Sequence, residues 1–241
     1  LWQARIVKQA AEAYLFGYPL VVTERTRLHA AQTLGPGNEL LRVRRFPDAQ
    51  FKGVVRPNVD TLYTTAFIDM DAGPWVFEMP PNAQRYELMP FMDAWTNVFA
   101  SPGTRTTGTA GGRFLLAGPR WQGTVPEGLA LLRAPTRRVW FIGRTQTNGE
   151  ADYALVHALQ DGLQLRPLQG ESVARPWQRP ATEGVPPAQQ MRDMPTQAFF
   201  QQLAQLMVDN PPAAADAPML AQLAALGVHP GQPLAWGPLD R

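Results

Sequence analysis

The chain has 241 residues, of which 45% are hydrophobic and 17% are charged. This composition predicts a folded protein with its own core and argues against intrinsic disorder. The 20 glycines and 24 prolines predict many turns and argue against a long helical bundle. The formal net charge is +2 and the arginines are spread along the chain, so no nucleic-acid partner is expected. Cysteine is absent, which excludes disulfides, thiolate nucleophiles and thiolate metal sites.

The N-terminal region has the periodicity of a helix. Gly17 and Pro19 interrupt this pattern, and because proline lacks a backbone N–H we expect a kink or a restart at Pro19. No apolar run approaches the roughly 18 residues of a membrane-spanning helix, so no membrane span is expected. The apolar residues on one face of the 3.6-residue repeat are Val7, Ala11, Tyr14, Tyr18 and Val21.

Residues 54–145 carry the pattern of short β-strands. Runs of apolar and β-prone residues alternate with turns that contain glycine and proline. A spacing of about ten residues is typical of an antiparallel sandwich or barrel, and the lack of a strand–helix alternation argues against a parallel sheet. The predicted strands are Leu62–Ile68, Pro74–Met79, Arg85–Phe91, Trp95–Phe99, Arg113–Ala117, Leu129–Arg133 and Arg138–Ile142.

The C-terminal third predicts three further helices. The first spans about residues 150–161 and ends at a glycine, the usual residue after a helix C-terminus. The many prolines of residues 167–195 predict an extended arm. Two apolar stripes follow, Phe199–Met207 and Leu220–Leu226, and the second helix has Asp216 as its expected N-cap.

The first candidate motif leads into the first predicted strand. In the functional interpretation, Asn58, Asp60 and Tyr63 face a cavity at one end of the sheet, where a rigid scaffold commonly carries functional loops. In the structural interpretation, the Asn and Asp side chains bond backbone N–H groups and fix a turn. The sequence leaves both open.

A second motif combines an acid, an indole and an amide. In a continuous strand, Asp93, Trp95 and Asn97 share one face because side chains alternate. Such a face suits a ligand wall, in which the indole stacks on a ring and the polar groups fix its orientation. Tyr63 and Tyr86 are the other aromatic candidates for this wall. The alternative is a buried polar network that stiffens the domain.

The third motif is the glycine- and threonine-rich segment 103–109. Its backbone N–H groups could bind an anion, with Thr104 beside them, Arg105 as a charged clamp and Arg144 as a second clamp. The lysine and the spacing of a phosphate-binding P-loop are missing. In the alternative, Arg105 pins a hairpin loop to one of the aspartates of the first two motifs.

The sequence contains few residues in patterns typical of catalytic or metal sites. The three histidines lie too far apart in sequence for a motif of paired ligands, and no serine lies in a nucleophile elbow. A carboxylate pair for glycoside hydrolysis needs a separation of about 5–9.5 Å, and Asp60 with Asp93 is the pair to test. An oxygen-only site for a divalent cation is left open, with a plain turn before Gly73 as the alternative. Its candidate ligands are Asp60, Asp69, Asp71 and Asp93.

An ordered series of segments carries a family resemblance. The segments are AYLFGYPLVVTERTR (13–27), RPNVDTLYTTAFIDMDAGPWVFEMP (56–80), RYELMPFMDAWTNVFASPGTRTTGT (85–109), FLLAGPRWQGTVPEG (114–128), VWFIGRT (139–145) and DYALVHALQDGLQLRPL (152–168). Together they resemble the domain of unknown function 1254 family. The resemblance implies a bacterial periplasmic or secreted protein without a settled activity. It also implies a following domain of unknown function 1214, which this sequence lacks, so we expect a single-domain member or a second domain that was lost or lies on another chain.

The sequence thus predicts an α+β fold: an antiparallel, jelly-roll-like β-sandwich core with an N-terminal helix and C-terminal helices. The expected division is a helical segment at 1–50, a β-sandwich domain at 51–168, and a proline-rich arm with a helical connector at 169–241.

The predicted function is binding of a small-molecule ligand in the cell envelope or outside the cell. In an enzymatic version, Asp60, Asp93 and Arg105 hydrolyse a small or carbohydrate-like molecule. No cofactor is predicted beyond the divalent cation left open. The alternative is a non-catalytic assembly domain, because apolar stripes without a partner predict a homo-oligomer or association with a second-domain chain. The predicted ligand contacts are Asn58, Tyr63, Tyr86, Trp95, Asn97, Thr104 and Arg144.

Overall fold

The computed structural model describes residues 2–51, 57–83, 85–170, 184–234 and 236. Its helices are α1 (Trp2–Thr33), α2 (Tyr153–Gly162), α3 (Pro187–Asp193), α4 (Thr196–Asp209) and α5 (Ala217–Ala225). Its strands are β1 (Leu41–Arg42), β2 (Thr61–Asp69), β3 (Trp75–Met79), β4 (Glu87–Leu88), β5 (Phe91–Asp93), β6 (Val98–Ala100), β7 (Gly112–Ala117), β8 (Ala130–Arg133), β9 (Arg138–Gln146) and β10 (Gln164–Pro167). The described residues form two compact units: a helical unit within 1–33, 94–96 and 179–241, and a sheet unit within 34–93 and 97–178.

Helix α1 runs through Gly17 and Pro19 without a break, so the predicted restart at Pro19 is wrong. A Cβ atom on Gly17 would lie 2.4 Å from the Cδ2 atom of Leu203, which shows how closely glycine lets α1 and α4 approach. Leu20 and Val21, directly after the proline, are buried. Burial of this face in the core of the helical unit outweighs the backbone hydrogen bond that proline removes.

The apolar stripe of α4 lies inside the helical unit. Phe199, Phe200, Leu203 and Met207 are almost completely buried, in one cluster with residues of α1 and with Leu223 of α5. The expectation that these stripes lack a partner is therefore wrong, because α1 covers them. The predicted homo-oligomer loses this support and stays a prediction.

The other predicted helices form with shifted bounds. Helix α2 begins at Tyr153, since residues 150–152 form a 3-10 turn. Asp216 precedes α5 at the N-cap position, but its side chain makes no capping hydrogen bond. Within the predicted arm, α3 forms at Pro187–Asp193, and residues 171–183 lie outside the described residues. Among the helices that the structure describes, none is both long enough and apolar enough to cross a membrane.

Two sheets make up the sheet unit. One has six strands in the order β1-β2-β9-β5-β6, with β4 also paired to β9, and the other has the order β10-β3-β7-β8. The α+β class with N-terminal and C-terminal helices is confirmed. The expectation of purely antiparallel pairing is wrong for β7 and β8, which are parallel. The 118–129 connection is long enough for the crossover that parallel neighbours require. The jelly-roll-like sandwich stays a prediction.

Two of the predicted strands are interrupted. The predicted strand 85–91 divides into β4 and the start of β5, with Met89 and Pro90 between them. The predicted strand 95–99 shrinks to β6, because Ala94 and Trp95 form a turn and Thr96 adopts a left-handed φ of 70°. The backbone reversal at this turn cannot be read from side-chain alternation.

One hydrophobic cluster contains side chains from both sheets. Buried residues alternate along β2 and β9, so each of these strands buries one face. Phe77 of β3, Phe91 of β5 and Phe141 of β9 are completely buried, and the ring centres of Phe91 and Phe141 lie 5.2 and 5.0 Å from that of Phe77. These rings anchor β9, the strand on which the candidate site is built.

The variant Gly17→Ala tests the close approach of α1 and α4. Alanine favours a helix over glycine by about 1 kcal/mol, but its Cβ would collide with the completely buried Leu203. Overpacking of this kind costs about 1–3 kcal/mol, so we expect a lower free energy of unfolding in urea. The loss should shrink in a Leu203→Ala background. Full stability of the single variant would contradict the packing described here.

Candidate functional site

The outer face of the six-stranded sheet carries a row of four residues, called here the Arg144 row. Arg144 of β9 pairs with Tyr63 of β2 on one side and with Leu88 of β4 on the other, and Leu88 forms a bridge to Gly103. Neighbouring strands lie about 4.8 Å apart, so the row spans about 14 Å. Arg144 is exposed, and its guanidinium carbon lies 5.5 Å from the centre of the Tyr63 ring. This distance allows a cation–π contact that orients the charge.

One residue along β9, the inner face of the sheet carries a buried acid. Glu87 pairs with Thr145 and is 1% exposed, and its carboxylate accepts a hydrogen bond from the Asn82 amide. Burial raises the pKa of Glu87, although the side chains of Asn82, Thr145 and Arg85 oppose the shift. Glu87 Oε1 and Asn82 Oδ1 have no hydrogen-bond partner among the described residues. The protonated carboxyl is therefore favoured here more than in water.

The 103–109 loop is fixed to this acid by its backbone. The Glu87 N–H donates to Thr104 Oγ1 at 2.9 Å, and the Thr104 N–H donates to the Glu87 carbonyl at 3.0 Å. A Cβ atom on Gly103 would lie 2.3 Å from that carbonyl oxygen, so only glycine fits. Thr104 thus contributes to loop structure.

Within the loop, the backbone N–H groups are largely used. The carbonyl of Gly103 accepts hydrogen bonds from the N–H groups of Thr106, Thr107 and Gly108 at 2.9–3.2 Å. The expected backbone cradle for an anion does not form from these groups, because a carbonyl inside the loop takes them. Arg105 is exposed and forms no ion pair with any residue that the structure describes. The predicted pinning of Arg105 to an aspartate is absent from the same residues.

A second arginine at this end of the sheet is held by a carboxylate. Arg85 donates to Asp152 through Nη1 at 2.5 Å and Nη2 at 2.8 Å, and Nη1 also donates to the carbonyl of Gln146 at 2.8 Å. The Arg85 hydrogen bonds, followed by the backbone N–H of Asn148, lower the pKa of Asp152. Asp152 therefore stays ionised, and Arg85 is engaged in the protein.

The first predicted motif lies at the same end of the sheet. The Asn58 Oδ1 atom accepts hydrogen bonds from the N–H groups of Asp60 at 2.8 Å and Thr61 at 3.2 Å, which is the turn that the structural interpretation requires. The carbonyl of Asp60 accepts from Thr147, while its carboxylate is exposed. Tyr86 also lies here, since its carbonyl accepts from the N–H of Gln146.

The second predicted motif lies elsewhere, and the shared face of Asp93, Trp95 and Asn97 is wrong. Asp93 pairs with Val139, at the opposite end of β9, and its carboxylate accepts from the backbone N–H of Asn97 at 2.9 Å. Trp95 belongs to the helical unit, where it packs on Phe16 with ring centres 4.9 Å apart. The left-handed residue between Trp95 and Asn97 turns the two side chains apart.

The separation along β9 also removes the predicted carboxylate pair. Thr61, beside Asp60, pairs with Gln146, whereas Asp93 pairs with Val139. Seven residues of strand span about 23 Å, well beyond the roughly 9.5 Å that glycoside hydrolysis allows. Asp60 and Asp93 therefore cannot act as the carboxylate pair of the predicted hydrolysis.

The aspartates of the 69–71 segment are taken by arginines. Arg137 Nε lies 2.9 Å from Asp69 and 3.2 Å from Asp71, and Arg138 Nη1 lies 2.6 Å from Asp69. Burial alone would raise the pKa of Asp69, but these cations and the Asp71 N–H lower it. No cluster of three or more His, Asp or Glu side chains that could hold a metal ion occurs among the described residues. The divalent cation stays a prediction.

Sequence reasoning missed Glu87, Arg85 and Asp152. Glu87 lies in the run Tyr-Glu-Leu-Met-Pro-Phe, where its alternation with Met89 and Phe91 places it on the apolar face. A lone acid in a core-facing position is the available signal, whereas the candidate motifs are clusters of polar residues.

The fold and these contacts define an α+β protein with two sheets and a polar site at one sheet end. Residues 37–167, more than half of the chain, match the family model described as "Protein of unknown function (DUF1254)", and the chain belongs to this family. The structure is similar to the crystal structure of the VPA0106 protein from Vibrio parahaemolyticus, with a TM-score of 0.73 and 24% identity over 98% of this chain. This chain spans 55% of the VPA0106 chain. No curated protein matches the sequence.

The pH dependence of stability tests the buried acid. Because burial raises the pKa of Glu87 above its unfolded value of about 4.3, its stabilising contribution is complete below that value and is lost as the pH rises through the folded pKa. The glutamine of Glu87→Gln cannot ionise, so this variant should not lose that stability as the pH rises. We expect the free energy of unfolding of the wild type, relative to this variant, to fall as the pH rises from about 4.

The matched control is Glu78→Gln on the other sheet. Burial alone would raise the pKa of Glu78, but hydrogen bonds and ion pairs with Arg113 and Arg166 lower it. The contribution of Glu78 to stability is therefore lost as the pH falls. The two variants should therefore give pH trends of opposite sign. Parallel curves for the wild type and Glu87→Gln would contradict the assignment.

Proposed function

We propose that this protein is a ligand-binding domain of the bacterial cell envelope or of a secreted protein, and that it binds a small anionic molecule at the Arg144 row. The location is supported by the family resemblance of the sequence. The binding function is supported by the charges at one end of the six-stranded sheet.

The main support for anion binding is a pair of guanidinium groups that have no carboxylate partner among the described residues. Arg105 and Arg144 are both exposed, and neither forms an ion pair with a described residue. Of the other described arginines of the sheet unit, all but Arg45 and Arg133 lie within 3.8 Å of a carboxylate. These paired arginines are Arg42, Arg44, Arg85, Arg113, Arg120, Arg137, Arg138 and Arg166.

Backbone distances support a shared anion site for these two arginines. Gly103 lies two strands from Arg144 across the row, a distance of about 10 Å. Arg105 follows two residues later in a loop that is pinned to Glu87 by one backbone hydrogen bond and one hydrogen bond to the Thr104 hydroxyl. Two long guanidinium side chains can converge over such a distance, and each can bind a carboxylate or phosphate with two parallel hydrogen bonds.

The groups around the arginines narrow the ligand class. Tyr63 supports one face of the Arg144 guanidinium and leaves its donors free for a ligand. The exposed Asp60 carboxylate, at the same sheet end, would accept hydrogen bonds from hydroxyl groups. This combination favours an anion that also carries hydroxyls, such as an acidic sugar. Hydrolysis by Asp60 with Asp93 is not part of this function, because the two residues lie too far apart.

Calorimetric titration with galacturonate tests this function. Removing one charge with Arg144→Gln or Arg105→Gln should weaken binding at least about 10-fold, since a hydrogen bond to a charged group is worth about 1.5–3 kcal/mol. Arg113→Gln, which removes an exposed arginine from the other sheet, should leave binding unchanged. Equal loss of galacturonate affinity in all three variants, or no binding of galacturonate to the wild type, would contradict the proposed function.

Packing against a second domain or subunit is the second candidate function. It is favoured by the VPA0106 chain, of which this chain spans 55%, and by the 67% and 71% exposure of Val7 and Leu15 on α1. Analytical ultracentrifugation tests the homo-oligomeric version. Self-association that Leu15→Glu abolishes would support it, and a monomer at all concentrations would contradict it.

A further inference from the structure

A groove of about 340 Å³ opens beside the four-stranded sheet. It lies between Pro74 at the start of β3, Pro167 at the end of β10, and the loop after β7, which contributes Trp121. The volume falls at the lower end of the range of small-molecule sites, about 300–1,000 Å³. None of the described residues that line the groove is ionisable. The groove shares no residue with the Arg144 row.

Trp121 differs from other tryptophans of the chain in its hydrogen bonding. Four of them donate the indole N–H to a protein oxygen at 2.7–3.3 Å: Trp75, Trp95, Trp140 and Trp236. Trp121 has no such acceptor among the described residues, although it is half-buried. Because Trp121 is only half-buried, its N–H can be hydrated in the free protein, and a ligand oxygen can replace that water.

The protein holds this indole in place. Arg133 Nη1 donates to the carbonyls of Trp121 at 2.9 Å and Gly118 at 3.2 Å, and its guanidinium carbon lies 5.9 Å from the centre of the indole ring. A Cβ atom on Gly123 would lie 2.4 Å from the ring, so glycine is what allows the ring its position. The site is therefore organised before a ligand arrives, which lowers the entropic cost of binding.

The acidic group next to the groove is paired with arginines, and the nearby Arg133 donates to backbone carbonyls. Asp71, beside the lining residue Ala72, pairs with Arg120 at 2.9 Å and with Arg137 at 3.2 Å. Arg133 is engaged with backbone carbonyls. The groove thus offers a neutral ligand an aromatic ring, proline rings and uncharged polar groups.

We propose that this groove binds a neutral sugar ring. The apolar C–H face of a pyranose matches the Trp121 ring and the two prolines, and its oxygens match the free indole N–H, the Thr124 hydroxyl and the Gln169 amide. An extended proline-rich peptide would use the aromatic and proline surfaces, but the small volume favours one or two rings.

Titration with methyl β-glucoside, galactose, maltose and cellobiose, by saturation-transfer NMR and calorimetry, tests the site. At least one should bind with a Kd below about 10 mM. Trp121→Ala should abolish that binding. Trp121→Phe keeps a ring but removes the N–H donor and should weaken binding about fivefold. Trp140→Phe, which removes an indole N–H engaged with Thr65, should leave binding unchanged.

Gly123→Ala provides a variant that keeps Trp121 and displaces its ring, so it should also weaken binding at least fivefold while the protein stays folded by circular dichroism. The site would be overturned if none of the four sugars binds, if binding survives Trp121→Ala, or if a proline-rich peptide binds in their place.

Discussion

Strand β9 is the element on which the sheet unit depends. It pairs with β2 over nine positions, and on its other edge with β4 near one end and β5 near the other. Its side chains alternate, so Phe141 and Thr145 face the buried side and Arg144 faces outward. A slip of one residue would move Arg144 into the core and expose Phe141, which the cost of burying an unpaired charge forbids. The backbone register of β9 therefore places every group of the candidate site.

The same register separates charges that serve the fold from charges free for a ligand. Arg85 at this sheet end, and Arg137 and Arg138 at the other, are fixed by aspartates whose pKa values are lowered. Arg144 is left exposed over Tyr63 because its strand neighbours are an aromatic ring and a leucine. Selective pairing of arginines, more than their number, gives the anion-binding proposal its specificity.

Local patterns in the sequence predicted much of the fold. Runs of apolar and β-prone residues between turns located β2, β3, β7 and β9, and the apolar stripe located α4, because each signal lies within a single element. Features that depend on distant contacts could not be predicted from local patterns. Helix α1, for example, continues through Pro19 because the helical unit buries Leu20 and Val21. For the candidate site, the sequence pointed to residues at both ends of β9. Only strand pairing shows that Tyr63, Arg144 and the 103–109 loop meet while Asp93 does not.

Chemical-shift mapping by NMR tests the central claim, that the β9 register brings distant segments together as one anion-binding site. In a titration of labelled protein with galacturonate, amide shifts should concentrate at Tyr63, Leu88, Arg105 and Arg144, with Asp93 and Asn97 unaffected. Shifts that cluster around Asp93 instead, or that are absent from the Arg144 row at saturating ligand, would contradict the account.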